Sequence, residues 1–315
     1  MNLFQRYLAD EFAEDYQEGR LSRREALKLI ASVTGSMLVA NSILAACTPT
    51  DETALPSGPV TPAQALTEPA ATAPAAGTVP PEDDAVIASD IEFPGTNGET
   101  LLGYLAQPSS GAAAPVILVC HENRGLTTHI QDVTRRLAKA GYVALAIDLL
   151  SRQGGSASVG ESNVPGALGN ISPDQFVADF KSGWQYLSKL SFAQANKVGM
   201  TGFCFGGGVT WLVATRMPEL LAAVPFYGPH PPLEDVPNIQ AAVLAIYGEL
   251  DTRIGAGIPE IEAAMQENQK VFEKVIYPNA DHAFHNDTGS RYNPEAAKDA
   301  WARTLAWFEK YVRTA

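Results

Sequence analysis

Lys197-Val198-Gly199-Met200-Thr201-Gly202-Phe203-Cys204-Phe205-Gly206-Gly207 decides how this chain is read. An apolar run ending at Thr201 feeds a G-x-C-x-G turn, and an Ala/Val/Leu-rich stretch suited to a helix follows. A strand that turns this sharply into a helix forces one side chain into a strained, exposed position. The glycines on either side are needed because a Cβ there would clash. Cys204 stands at the nucleophile's place, near a helix N-terminus whose aligned amides are expected to lower a thiol pKa and to hold a developing oxyanion. A small residue between glycines also suits tight packing without chemistry, so the motif needs partners.

The partners follow in order. Ala241 to Tyr247 is an apolar run fit for a buried strand, and it ends in Gly248-Glu249-Leu250-Asp251, a carboxylate on the loop past the strand. Val271 to Tyr277 reads as the next strand and leads into Asp281-His282-Ala283-Phe284. Nucleophile, acid and histidine in this order, each after its own strand, is the arrangement of an α/β-hydrolase. Val116 to Cys120 reads as a buried strand running into His121-Glu122-Asn123-Arg124-Gly125, at the strand end where such sheets bind ligands. The Asn123 N–H is the candidate second oxyanion donor beside the Phe205 N–H. Of the other histidines, His285 reads as a solvated loop residue, His230 as structural in a Pro-rich turn, and His129 carries no assigned role.

The chain resembles the dienelactone hydrolase (carboxymethylenebutenolidase) family over about Ile91 to Val312. The resemblance is carried by Glu122 in H-E-N-R-G, Arg152 in D-L-L-S-R-Q, Cys204 in G-F-C-F-G-G, Asp251 in G-E-L-D and His282 in D-H-A-F. It implies a Cys204-His282-Asp251 triad. It also implies that Glu122 is an auxiliary carboxylate acting on the thiol and that Arg152 binds a substrate carboxylate. Cleavage of small lactones or activated esters through an acyl-thioester is the expected chemistry, with no cofactor and no metal. One departure stands out: the family's second carboxylate-binding arginine, four residues after the histidine, is replaced by Asn286, with Arg124 or Arg291 as possible substitutes. The rival reading is a non-catalytic binding lipoprotein on the same scaffold.

The N-terminal part suggests export. Ser22-Arg23-Arg24-Glu25-Ala26-Leu27-Lys28 resembles a twin-arginine motif, and the run Leu29 to Leu44 is too short and too polar for a membrane span. Leu44-Ala45-Ala46-Cys47 resembles a lipobox, with Cys47 the lipidated residue. Residues 1–46 are therefore expected to be an export signal, 47–83 a disordered Pro/Ala/Thr-rich tether, and 84–315 the catalytic domain of a periplasmic or cell-envelope protein. A lipid anchor on Cys47 would be its membrane contact.

Within 84–315, Ile91-Glu92-Phe93 and Leu101 to Ala106 flank Gly95-Thr96-Asn97-Gly98 and read as a hairpin. Strands near Val116, Tyr142, Val198, Ala222, Val243 and Val271 then alternate with helical patterns. This predicts a mostly parallel twisted sheet with helices on both faces, after an N-terminal antiparallel hairpin. The formal net charge of −13 makes nucleic acid an improbable partner, and a monomer is expected. Cys120 reads as a core residue, and three cysteines offer no disulfide framework. The Gly/Ser/Asn-rich stretch Gly154 to Gly169 is a candidate lid.

Overall fold

A computed structural model describes residues 1–46 and 77–314; Cys47 and most of the expected tether lie outside the described residues. Eight strands form one sheet: β1 (Val86–Pro94), β2 (Thr100–Pro108), β3 (Ala114–Cys120), β4 (Val143–Asp148), β5 (Ala193–Phe203), β6 (Leu220–Phe226), β7 (Ala242–Gly248) and β8 (Phe272–Tyr277). Their spatial order is β1-β2-β4-β3-β5-β6-β7-β8. β1 and β2 form the expected antiparallel hairpin, and β2 also runs antiparallel to β4. From β4 through β8 every pairing is parallel. All residues of β3, β4 and β7 are buried, as strands covered on both faces require.

The helices that cover the sheet are α4 (Thr128–Lys139), α7 (Pro173–Leu187), α8 (Phe205–Ala214), α10 (Ile258–Glu267) and α11 (Pro294–Phe308). Gly154 to Gly169 is folded: it contains α5 (Ser156–Val159) and α6 (Val164–Gly169). A further short helix, α9 (Thr252–Gly255), follows Asp251, whose carboxylate caps it by accepting from the Ile254 N–H. The folded region begins before Asp84. Val79 is buried, its N–H donates to Asp132 at 2.7 Å and its carbonyl accepts from Arg135.

Residues 1–46 form three helices, α1 (Leu3–Gln17), α2 (Arg23–Thr34) and α3 (Met37–Ala45). Capping boxes start two of them, Asn2 with Gln5 and Ser22 with Glu25, so the serine ahead of the arginine pair is a helix cap. None of the described helices is long and apolar enough to cross a membrane. α1 is instead docked on the catalytic region. Phe4, Leu8 and Phe12 are buried, and the Phe4 ring lies 5.2 Å from Phe176 and 5.1 Å from Phe205. Burying a side chain of this size contributes about 1.5–3 kcal/mol, so three of them hold α1 firmly. α2 packs on α6, where a Cβ on Gly166 would fall 2.6 Å from Ser32 Oγ.

Candidate active site

Cys204 lies between the end of β5 and the start of α8 with φ 59° and ψ −121°, a conformation that a non-glycine residue adopts only when its surroundings impose it. Those surroundings are tight. A Cβ on Gly202 would come 2.2 Å from the Gly206 carbonyl oxygen, and one on Gly206 would come 2.4 Å from that of His121. Glycine is thus required at both places so that α8 can start immediately beside β3 and β5. The Cys204 N–H is anchored to the Phe226 carbonyl at 3.0 Å. Phe205, as the first residue of α8, carries one of the N–H groups that have no acceptor within a helix.

His282, on the loop after β8, is steadied by Asp251 on the loop after β7. Asp251 Oδ2 accepts from His282 Nδ1 at 2.6 Å, and both side chains are 2 % exposed. The other ring nitrogen, Nε2, faces the Cys204 side, and the ligating atoms of Glu11, Cys204 and His282 all lie within 4.8 Å of one another. The structure thus brings Cys204, Asp251 and His282 into one cluster. Burial disfavours a charged His282, but the carboxylate of Asp251 and the sulfur of Cys204 outweigh it and push the imidazole well above its ordinary pKa. Asp251 is itself held below the carboxylate range: burial opposes ionisation, and His282 and Arg253 overcome it.

Two residues of this cluster lie in a segment that the sequence suggested was a leader. Tyr7 Oη is 3.2 Å from Cys204 Sγ and 3.3 Å from His282 Nε2. Glu11 Oε1 accepts from the Cys204 thiol at 3.7 Å and lies 3.8 Å from His282 Nε2. No signal in the G-x-C-x-G motif points to residues almost two hundred positions earlier. The only hint is the apolar spacing of Phe4, Leu8 and Phe12, which marks a face that must be covered. The thiol is consequently not lowered as a helix N-terminus alone would dictate: burial first, then the charge of Glu11, raise it, with His282 acting in the opposite direction. Glu11, Cys204 and His282 also form a donor set suited to a divalent ion such as zinc, with Asp251 behind the imidazole.

The remaining sequence candidates are distributed differently from the expectation. Glu122 is buried and lines the same cavity, but its Oε2 accepts from Asn286 Nδ2 at 2.7 Å, while Glu11 is the carboxylate beside the sulfur. Asn123 and Arg124 line the cavity too, Arg124 at an exposed rim paired with Glu161 at 2.9 Å. Arg152 is placed away from it. Its guanidinium is bidentate to Asp179 and also held by Glu99, so both Nη groups are already engaged by carboxylates. Arg291 does line the cavity. His285, expected in solvent, is 1 % exposed and stacks on Phe203 at 5.1 Å, so burial keeps it neutral with a depressed pKa. His129 is buried against Asp287 at 2.9 Å. Cys120 is a buried core thiol, as its strand position predicted. The cavity beside Cys204 measures about 590 Å³, the size of a small-molecule site, and Glu11, Asp15, Arg20 and Leu21 form one of its walls.

A family model described as the dienelactone hydrolase family matches residues 101–312. A candidate carboxymethylenebutenolidase of Salmonella typhimurium is 34 % identical over 263 residues, covering 78 % of this chain and 97 % of that one. A Bradyrhizobium protein named as a probable 2-oxo-3-(5-oxofuran-2-ylidene)propanoate lactonase is 34 % identical over 238 residues, covering 72 % and 96 %. Among solved structures, a candidate dienelactone hydrolase from Klebsiella pneumoniae shares 33 % identity at a TM-score of 0.68, covering 72 % of this chain and 100 % of that one. With the strand-turn-helix at Cys204, the His282–Asp251 pair and the mostly parallel eight-stranded sheet, these matches mean that the chain belongs to the dienelactone hydrolase family of lactone and ester hydrolases.

Proposed function

We propose that this hydrolase cleaves small enol-lactones or activated esters by covalent catalysis at Cys204. The observation that carries the reading is the 2.6 Å Asp251–His282 contact, which fixes the imidazole with Nε2 toward the sulfur side. His282 takes the thiol proton, and the thiolate attacks the carbonyl carbon. The tetrahedral oxyanion is held by the N–H groups of Phe205 and Asn123. As the C–O bond breaks, His282 returns the proton to the leaving oxygen, giving an acyl-thioester. Water deprotonated by His282 then attacks the thioester, and the thiol is regenerated with release of the acid. A thiolate is a better leaving group than an alkoxide, so the cycle favours substrates whose own leaving group is good. The Bradyrhizobium relative, named for a lactone of this type, agrees with that choice.

The test is turnover of an activated aryl ester by Cys204→Ala. A fall of at least about 10³-fold is expected. Unchanged turnover removes Cys204 from the mechanism.

Export belongs to the same proposal. The Ser22-Arg23-Arg24 motif and the Leu44-Ala45-Ala46-Cys47 sequence support passage of a folded chain to the cell envelope with a lipid on Cys47. Cys47→Ser is expected to move the protein from the detergent phase to the aqueous phase; retention in detergent excludes that anchor.

A further inference from the structure

We propose that α1 is an internal pseudosubstrate: Tyr7 places its phenol oxygen where the leaving oxygen of an aryl or enol ester belongs, Glu14 engages Arg253 as a substrate carboxylate would, and turnover requires α1 to withdraw. The inference rests on the hydrolase reading of the same site and deepens it, naming the leaving group and the residue that recognises the anion.

The first support is the position of one oxygen. An ester poised for attack has its carbonyl carbon about 3–3.5 Å from the sulfur. Its leaving oxygen must also lie within about 2.6–3.2 Å of the nitrogen that will protonate it. Tyr7 Oη, 3.2 Å from Cys204 Sγ and 3.3 Å from His282 Nε2, lies at the outer edge of that place. While the phenol is there, it takes the hydrogen-bonding place on His282 Nε2 that a leaving oxygen or the hydrolytic water would need. That the occupant is an aromatic hydroxyl indicates the shape of leaving group the place accepts.

The second support is Arg253, two residues past Asp251. Its Nε donates to Glu14 at 2.8 Å and its guanidinium lies 4.8 Å over the Tyr7 ring, so both the carboxylate and the ring come from α1. Arg253 Nη2 is buried and has no hydrogen-bond partner among the described residues. Withdrawal of α1 would leave a planar donor fork beside the catalytic pair, suited to a carboxylate. This supplies the recognition that Arg152, tied to Asp179 and Glu99, does not offer.

The third support is where α1 lies in the chain. Tyr7, Glu11 and Glu14 precede the family-matched residues 101–312, and residues 47–76 join their helices to the catalytic region. Cutting that connection removes no strand of the sheet. With α1 docked, Cys204 is 3 % exposed, with Tyr7 Oη 3.2 Å and Glu11 Oε1 3.7 Å from its sulfur.

The experiment uses the full chain with a protease site placed within residues 47–76, cut after folding, alongside uncut Tyr7→Ala. Two rates are read at neutral pH: alkylation of Cys204 by iodoacetamide, followed by mass, and hydrolysis of p-nitrophenyl acetate. Uncut wild type is expected to be slow in both, and the cut chain and Tyr7→Ala at least tenfold faster. A synthetic peptide of residues 1–21 should slow the cut chain again, whereas the same peptide carrying Tyr7→Ala should not. Carboxylate-bearing aryl esters should gain more from cutting than neutral ones, and Arg253→Met should erase that difference. Opening that leaves alkylation unchanged overturns the inference. So does lower turnover in Tyr7→Ala at an unchanged thermal midpoint, because Tyr7 then belongs to the catalytic machinery. Faster alkylation without ester hydrolysis in any form supports the cover over the thiol and overturns the hydrolase reading instead. Tyr7→Ala keeps the test decisive if the cut chain aggregates.

Discussion

Asn286 donates to Glu122 at 2.7 Å, so the residue standing where the family resemblance called for an arginine clamps the carboxylate that was expected to act on the thiol. Glu122 is thereby turned toward a partner of its own, and the carboxylate nearest the sulfur is Glu11. The two departures from the family pattern are one local exchange.

Removing the clamp should register in stability. Asn286→Ala leaves a buried carboxylate short of a donor, which costs about 1–3 kcal/mol. Asn286→Asp faces it with a like charge and should cost more at pH 7 than at pH 4, where carboxyl groups begin to protonate. Urea unfolding at the two pH values checks both. Equal stability of all three proteins at pH 7 means that the contact contributes nothing.

The thiol is faced by Tyr7 and Glu11 from α1, by His282 from the loop after β8, and by Glu122 from the loop after β3. The charge on Glu11 disfavours the thiolate, so Glu11→Gln must let Cys204 ionise at lower pH. In the uncut chain the pH profile of Cys204 alkylation should shift toward acid. An unshifted profile shows that the sulfur does not sense this carboxylate.

Arg152 separates a structural arginine from a substrate-binding one. Arg152→Met strips Asp179, which is 1 % exposed, of its ion pair and leaves it the Gln175 amide alone, which should cost about 1.5–3 kcal/mol. The KM for a carboxylate-bearing ester relative to a neutral one should stay the same. A selective rise in that KM returns Arg152 to the substrate.

Much of this protein is written locally. Strict apolar runs at Val116 and Val243 mark strands buried on both faces, and Gly202 and Gly206 mark the turn where a Cβ has no room. Asp251 and His282 could be placed together because each follows its own parallel strand, and neighbouring strands in a parallel sheet present their ends at one edge. Such features depend on residues a few positions apart, and a chain with this order of runs and turns admits one architecture.

The neighbours of the sulfur were decided otherwise. Tyr7 lies 197 residues from Cys204, and no spacing rule spans that interval; they meet because α1 buries Phe4, Leu8 and Phe12, with the Phe4 ring against Phe176 and Phe205. His285 reads as a loop residue yet stacks inside the core, and Arg152 reads as a substrate ligand yet is consumed by Asp179 and Glu99. Sequence determined the sheet, the elbow and the His282–Asp251 pairing, since these follow from chain-local sterics and strand order. Tertiary packing decided which charges and hydroxyls surround the thiol, because a side chain's partners are set by which surfaces exclude water together.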